Sequence, residues 1–115
     1  MNPAQQTHLN LDAVENWPSE KLLQKAVSKW LREQGCIVLH VVGFFAASAG
    51  WPDCLVVAPD GKFLMIELKT QRGTLRPMQT TFIEKAHRAG HNVIVARTMT
   101  EVRNAFANLY AGVTP

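Results

Sequence analysis

Apolar positions set the first element of the chain. Leu23, Val27, Trp30 and Leu31 recur at helical spacing, and Leu22 and Ala26 widen the stripe. This predicts a helix over 19–34, ended by Gly35 where a left-handed residue is favoured. The period then changes. Residues 36–45 are rich in β-branched and aromatic side chains and read as a strand, followed by a loop of small residues over 46–51. Two further strands, 53–58 and 62–68, flank Pro59-Asp60-Gly61. That tripeptide predicts a hairpin with a type I turn and a G1 bulge: proline first, aspartate second, glycine at the left-handed position. Its length sets Ala58 opposite Lys62 and therefore Asp53 opposite Glu67.

After a polar, glycine-containing loop over 70–76, a helix begins near Pro77, with Phe82, Ile83 and Ala86 on its apolar face and Gly90 beyond its end. Residues 92–96 form a short apolar strand. Thr98 and Glu101 match a capping box ahead of a last helix carrying Val102, Ala105, Phe106 and Leu109. The order predicts an α/β fold with a mixed sheet, the strand after the crossover helix being parallel to its neighbour. Leu55, Val57, Phe63 and Met65 make one hairpin face apolar, and Cys54, Val56, Leu64 and Ile66 the other. Helices are expected on both faces.

The chain has 115 residues, 47% hydrophobic and 18% charged, which suits one globular domain. We expect that domain over 17–110, between an N-terminal arm (1–16) and a C-terminal tail (111–115). The apolar run 37–45 is broken by His40 and is too short to span a bilayer. The opening MNPAQQTHLNLD has no leader pattern, so a cytoplasmic protein is expected. Cys36 and Cys54 supply neither a disulfide framework nor metal-ligand spacing and read as small buried hydrophobes. A membrane protein, a secreted knot, a zinc finger, a repeat array and a disordered chain are excluded. The formal charge of +3 is mild, but residues 70–83 hold Arg72 and Arg76 and no acid, with Lys69 just before them. That local stretch suits anion binding.

Chemistry concentrates at Asp53, Glu67 and Lys69. Alternation puts Glu67 and Lys69 on one strand face, and the hairpin register adds Asp53 to it. Directly opposed carboxylates repel unless something lies between them, and a divalent cation with oxygen ligands would remove the repulsion. A lysine one pleat away can hold a water or offset charge on a phosphorane-like transition state. The geometry therefore points to metal-assisted phosphodiester hydrolysis. The plain alternative is a strand-capping aspartate with solvated edge charges. Against it, Glu67 follows Phe63-Leu64-Met65-Ile66 in a strand expected to be buried, where an unpaired carboxylate is costly.

Gly50-Trp51-Pro52-Asp53 and Ile66-Glu67-Leu68-Lys69 resemble the PD-(D/E)xK nuclease signature, and the element order resembles that superfamily's restriction-endonuclease-like αβββαβ core. With Gly73-Thr74-Leu75 and Pro77-Met78-Gln79, the run resembles more narrowly the VRR-NUC (virus-type replication-repair nuclease) family, over about residues 17–107. The Glu-x-Lys triplet alone is common, but the combination is specific. The resemblance implies a metal-dependent endodeoxyribonuclease using Mg²⁺ or Mn²⁺, with Asp53 and Glu67 as ligands, the Leu68 carbonyl as a further one, and Lys69 positioning the attacking water. Product ends would be 5′-phosphate and 3′-hydroxyl.

The resemblance also adds Glu20 to the metal site and Gln79 as a group orienting water or phosphate. Glu20 shares its helix face with Leu23, Val27 and Leu31, though a first-turn acid is also favoured by the helix dipole. Gln79 shares a face with Phe82, Ile83 and Ala86, or is a partly exposed helix-start residue. Lys69, Arg72 and Arg76 would line the DNA backbone, or the arginines are solvated charges. Trp51 either stacks on a base or packs under its loop. His40 reads as a satisfied core or edge histidine, His87 and His91 as surface residues, and Trp30 as core. Residues 44–49 lack the polar and basic groups often found there in relatives, which bears on substrate preference.

Single-domain relatives form homodimers that cut branched DNA such as four-way (Holliday) junctions, so the resemblance implies a junction resolvase in a bacterial, phage or prophage setting. Phe44, Phe45 and Trp51 are candidates for exposed apolar surface. The alternatives are a flap/nick-directed or nonspecific nuclease within a larger machine, and a catalytically silent nucleic-acid-binding module.

Overall fold

The computed structural model describes residues 15–43, 45 and 49–112. The arm over 1–14, Phe44, the loop residues 46–48 and the end of the tail over 113–115 lie outside the described residues.

Helix α1 (Glu20–Glu33) starts at Ser19, whose hydroxyl accepts the Leu22 N–H at 3.2 Å, and Gly35 follows with a φ of 89°. Strands β1 (Ile37–His40), β2 (Cys54–Val57) and β3 (Phe63–Leu68) come next, then α2 (Pro77–Arg88), β4 (Val93–Ala96) and α3 (Met99–Asn108). β1 is shorter than expected and ends at His40. The four strands are ordered β1-β2-β3-β4; the first three are antiparallel and β4 is parallel to β3. The α/β class and mixed sheet expected from the pattern, and the restriction-endonuclease-like core implied by the resemblance, are therefore present. Cys54 pairs with Ile66 and Ala58 N–H donates to Lys62 O at 2.9 Å, so the expected register holds.

The turn differs. Asp60 (φ 61°) and Gly61 (φ 72°) are both left-handed, and Lys62 N–H donates to Pro59 O at 3.4 Å. Asp-Gly as the central pair suits a type I′ turn, whose twist matches the flanking strands better than type I. Pro59 has no N–H to return a bond, so Lys62 O takes the Ala58 N–H instead.

α1 and α3 cover one sheet face. Leu23, Val27 and Leu31 pack there on Val56, Leu64 and Ile66, with Val102 completing the core. Trp30 lies at the core margin, edge-on to Phe106 at 5.4 Å. Among the described residues the other face carries α2, over β3 and β4, where Met65, Ala86 and Val93 form a small cluster. Among these residues the expected cover of this second face is partial. Ile37 (70% exposed), Leu39 (59%), Val57 and Phe63 remain in contact with solvent, because α2 reaches back only as far as Leu55.

At α3, Thr98 Oγ1 accepts the Glu101 N–H at 3.1 Å, but the Glu101 carboxylate returns to Arg97 N–H and the Thr98 hydroxyl, one residue off a full capping box. Glu15, expected in the arm, is docked: its carboxylate accepts the N–H groups of Met99 and Thr100 at the positive end of α3.

Candidate active site

The sheet register carries one residue past β2, bringing Asp53 opposite Glu67 at the open end of the hairpin. Asp53 Oδ2 accepts the Leu68 N–H at 2.8 Å, which anchors its carboxylate across the strand pair. Glu67 is 2% exposed. Its Oε1 accepts Gln79 Nε2 at 2.9 Å and lies 3.7 Å from Lys69 Nζ, whereas its Oε2 is buried with no hydrogen-bond donor among the described residues. Burial, first, and then repulsion from Asp53 push the Glu67 carboxyl up to about 8; Lys69 opposes the rise.

Gln79 is 4% exposed and sits at the start of α2, where its Oε1 accepts the Arg76 N–H at 2.8 Å. Its amide is therefore oriented at both ends: oxygen on the helix terminus, nitrogen on Glu67. Gly50 explains how α2 reaches this position. With φ at 85°, it lies against the helix start so closely that a Cβ would collide with the Met78 carbonyl and come within 2.9 Å of Gln79 N. The glycine of the Gly-x-Pro-Asp run thus serves a close backbone approach.

Glu20 faces Lys69, with 4.0 Å between Glu20 Oε1 and Lys69 Nζ, and its side chain is 47% exposed. Lys69 thus lies between Glu20 and Glu67, and the Glu20 charge also acts on the Glu67 carboxyl. Among the described residues no three His, Cys, Asp or Glu side chains form a group set to hold a metal ion. Asp53 and Glu67 nevertheless fit a hard divalent cation. Two adjacent carboxylates, one with a buried oxygen lacking a donor, match the one or two carboxylates Mg²⁺ usually takes, waters or substrate oxygens filling its other positions.

Arg72 is exposed on the loop after Lys69, and Arg76 is exposed at the start of α2. Trp51 packs on Phe82, ring centroids 4.7 Å apart, and keeps 42% of its surface exposed. His40 is satisfied: Ser28 Oγ donates to Gln24 O at 2.8 Å and so accepts from His40 Nε2 at 3.0 Å, leaving Nδ1 to accept from Gln24 Nε2 at 2.6 Å. Burial, then the nearby carboxylates, push the Cys54 thiol up to about 12, leaving it a packing residue. His87 is exposed, yet its Nε2 donates to Val93 O at 2.8 Å. Sequence reasoning missed Arg97, Glu15 and Gln71, which hold the loop after Lys69; no local pattern marks them, because their partners are backbone groups distant in sequence.

A restriction-endonuclease-like core with an acid–acid–lysine cluster at the open end of its hairpin defines a nuclease-type domain. Residues 5–100 match the sequence model of the VRR-NUC domain, and the chain belongs to the VRR-NUC family. A solved structure described as a VRR-NUC domain is similar at a TM-score of 0.67 and 25% identity, covering 76% of this chain and 94% of that one. No curated protein matches the chain. A nuclease domain takes DNA as its expected substrate, and among the described residues no helix is long and apolar enough to cross a membrane.

Proposed function

We propose that this protein is a Mg²⁺- or Mn²⁺-dependent, structure-selective DNA endonuclease that hydrolyses phosphodiester bonds in branched DNA, foremost four-way junctions, as a homodimer. The observation that carries the reading is the buried Glu67 carboxyl set against Asp53, with Lys69 Nζ 3.7 Å away. A nearly dry carboxylate beside a second one is costly to maintain for packing alone.

Asp53 and Glu67 would hold the cation, with the Leu68 carbonyl as a further ligand and Glu20 supporting the site through Lys69. The bound metal would act as a Lewis acid on the phosphate and favour a hydroxide nucleophile at neutral pH. Gln79 fixes Glu67 in place through Oε1 and leaves the buried Oε2 for the cation. Lys69 Nζ, 12% exposed as a side chain, orients the attacking water and offsets charge on the pentacoordinate phosphorus. Arg72 and Arg76 guide the sugar–phosphate backbone without reading sequence. Cleavage would leave 5′-phosphate and 3′-hydroxyl ends.

The dimer reading is supported by the β1 side of the sheet, which no described helix covers and where Ile37, Leu39 and Val57 expose an apolar strip. A two-fold dimer on a two-fold junction makes two related cuts. The setting we infer is cytoplasmic, in a bacterium, phage or prophage.

Labelled four-way junction, flap, nicked and linear duplex DNA, each in Mg²⁺ and in Mn²⁺, test this reading, with Glu67→Gln beside the wild type. Paired symmetric cuts in the junction, lost in the variant, are expected. Equal cutting of every substrate would leave a nonspecific nuclease, and preferential flap or nick cutting a component of a larger machine. Binding without cutting in either metal would leave a silent binding module.

A further inference from the structure

The loop after Lys69 is held from outside the site by one side chain. Arg97, the first residue beyond β4, donates from Nη1 to Thr70 O at 2.5 Å and to Gly73 O at 2.6 Å. The same turn is closed by Gly73 N–H on Thr70 O at 3.1 Å. Lys69 N–H is itself bonded to Ala96 O at 3.1 Å, so the residue before Arg97 fixes the lysine's backbone while Arg97 fixes the turn that follows. Gln71 Nε2 adds a tie to Glu15 O at 3.1 Å.

Gly73 is where this clamp meets the chemistry. A Cβ there would lie 3.3 Å from Lys69 Cδ and 3.5 Å from Glu20 Oε1. The Gly73 backbone is thus the wall behind both the lysine stem and the Glu20 carboxylate. A planar guanidinium holds two carbonyls of one turn through charge-assisted N–H donors.

We propose that Arg97 is a positioning residue: by clamping the 70–73 turn it keeps Gly73 against Lys69 and Glu20, and so keeps the Lys69 ammonium beside Glu67. The inference rests on the nuclease reading of that site. Arg97 acts through the turn and needs no contact with DNA.

The test combines amide hydrogen exchange with steady-state cleavage in wild type, Arg97→Gln, Arg97→Lys and Gly73→Ala. In Arg97→Gln the Gly73 amide should exchange at least about tenfold faster while β3 amides keep their rates. Displacing Lys69 by about an ångström should lower kcat by about tenfold to a hundredfold, with KM within about threefold. Arg97→Lys, which keeps a charged donor, should recover part of the rate. Gly73→Ala should lower kcat with the clamp itself intact. Three results overturn the proposal: unchanged Gly73 exchange in Arg97→Gln, faster exchange throughout the molecule, or a faster-exchanging turn with wild-type kcat. A wild type that cuts no DNA overturns the nuclease reading and the proposal's catalytic half; the exchange data then decide separately whether Arg97 holds the turn.

Discussion

Glu67 is held where its ionised form is penalised, and this makes the site sensitive to pH. Its folded-state value of about 8 lies above that of an unfolded glutamate, so between these values the folded chain binds the extra proton. The metal-free protein should therefore lose stability as pH rises from about 4.5 to 8 and level off above that. Glu67→Gln removes the titration. Its stabilising effect in urea unfolding should be near zero at pH 4.5 and grow to on the order of 1–3 kcal/mol at pH 8. A gain that is flat with pH would contradict the burial of this carboxyl. A cation displaces the same proton, so millimolar Mn²⁺ or Mg²⁺ at pH 8 should raise the melting temperature by a few degrees, on the order of RT ln(1 + [L]/Kd) in free energy. Asp53→Asn should abolish that rise in a thermal-shift measurement.

At the scale of elements, the site depends on how α2 is seated. Gly50 allows the loop before β2 to touch the backbone at Met78 and Gln79, and that contact sets where Gln79 meets Glu67. Gly50→Ala meets both a backbone collision and a positive φ, so a loss on the order of 2–4 kcal/mol is expected in denaturant unfolding. Cleavage should fall further than the remaining folded fraction explains, because Gln79 moves with the helix. By contrast, Gly61 has open space around a Cβ, so Gly61→Asn, which tolerates a left-handed conformation, should cost less than about 1 kcal/mol.

For the whole molecule, the asymmetry of the two sheet faces matters most. One face is sealed by α1 and α3. The other has α2 over β3 and β4 and leaves an apolar groove of about 500 Å³ beside Trp51, Leu55 and Phe63, continuous with the strip on β1. A patch of this kind on a small protein marks an interface. Leu39→Lys, at a position already 59% exposed, should leave the monomer's melting temperature within a few degrees. On the proposed reading it should shift sedimentation from dimer to monomer and uncouple the two proposed cuts in a four-way junction. A wild type that sediments as a monomer would overturn the proposed dimer, and a dimer unchanged in the variant would place its contact elsewhere.

Element order, strand register and the acid–acid–lysine cluster were legible from the residues because each depends on local periodicity and one short turn. Leu23, Val27 and Leu31 announce α1 by spacing, and Pro59-Asp60-Gly61 sets Asp53 against Glu67 by loop length alone. The turn's internal conformation was less legible, since Asp60 tolerates the left-handed region as well as the right-handed one. What only the tertiary structure decided was everything made by contact between distant segments. It set Glu20 beside Lys69, buried Gln79 against Glu67, clamped the 70–73 turn with Arg97 and, among the described residues, left β1 without a helix over one sheet face. The physical reason is one of range. Periodicity and turn chemistry act over a few residues, while the reach of α2 across the sheet and the backbone carbonyls that a charged side chain finds depend on how the helices pack.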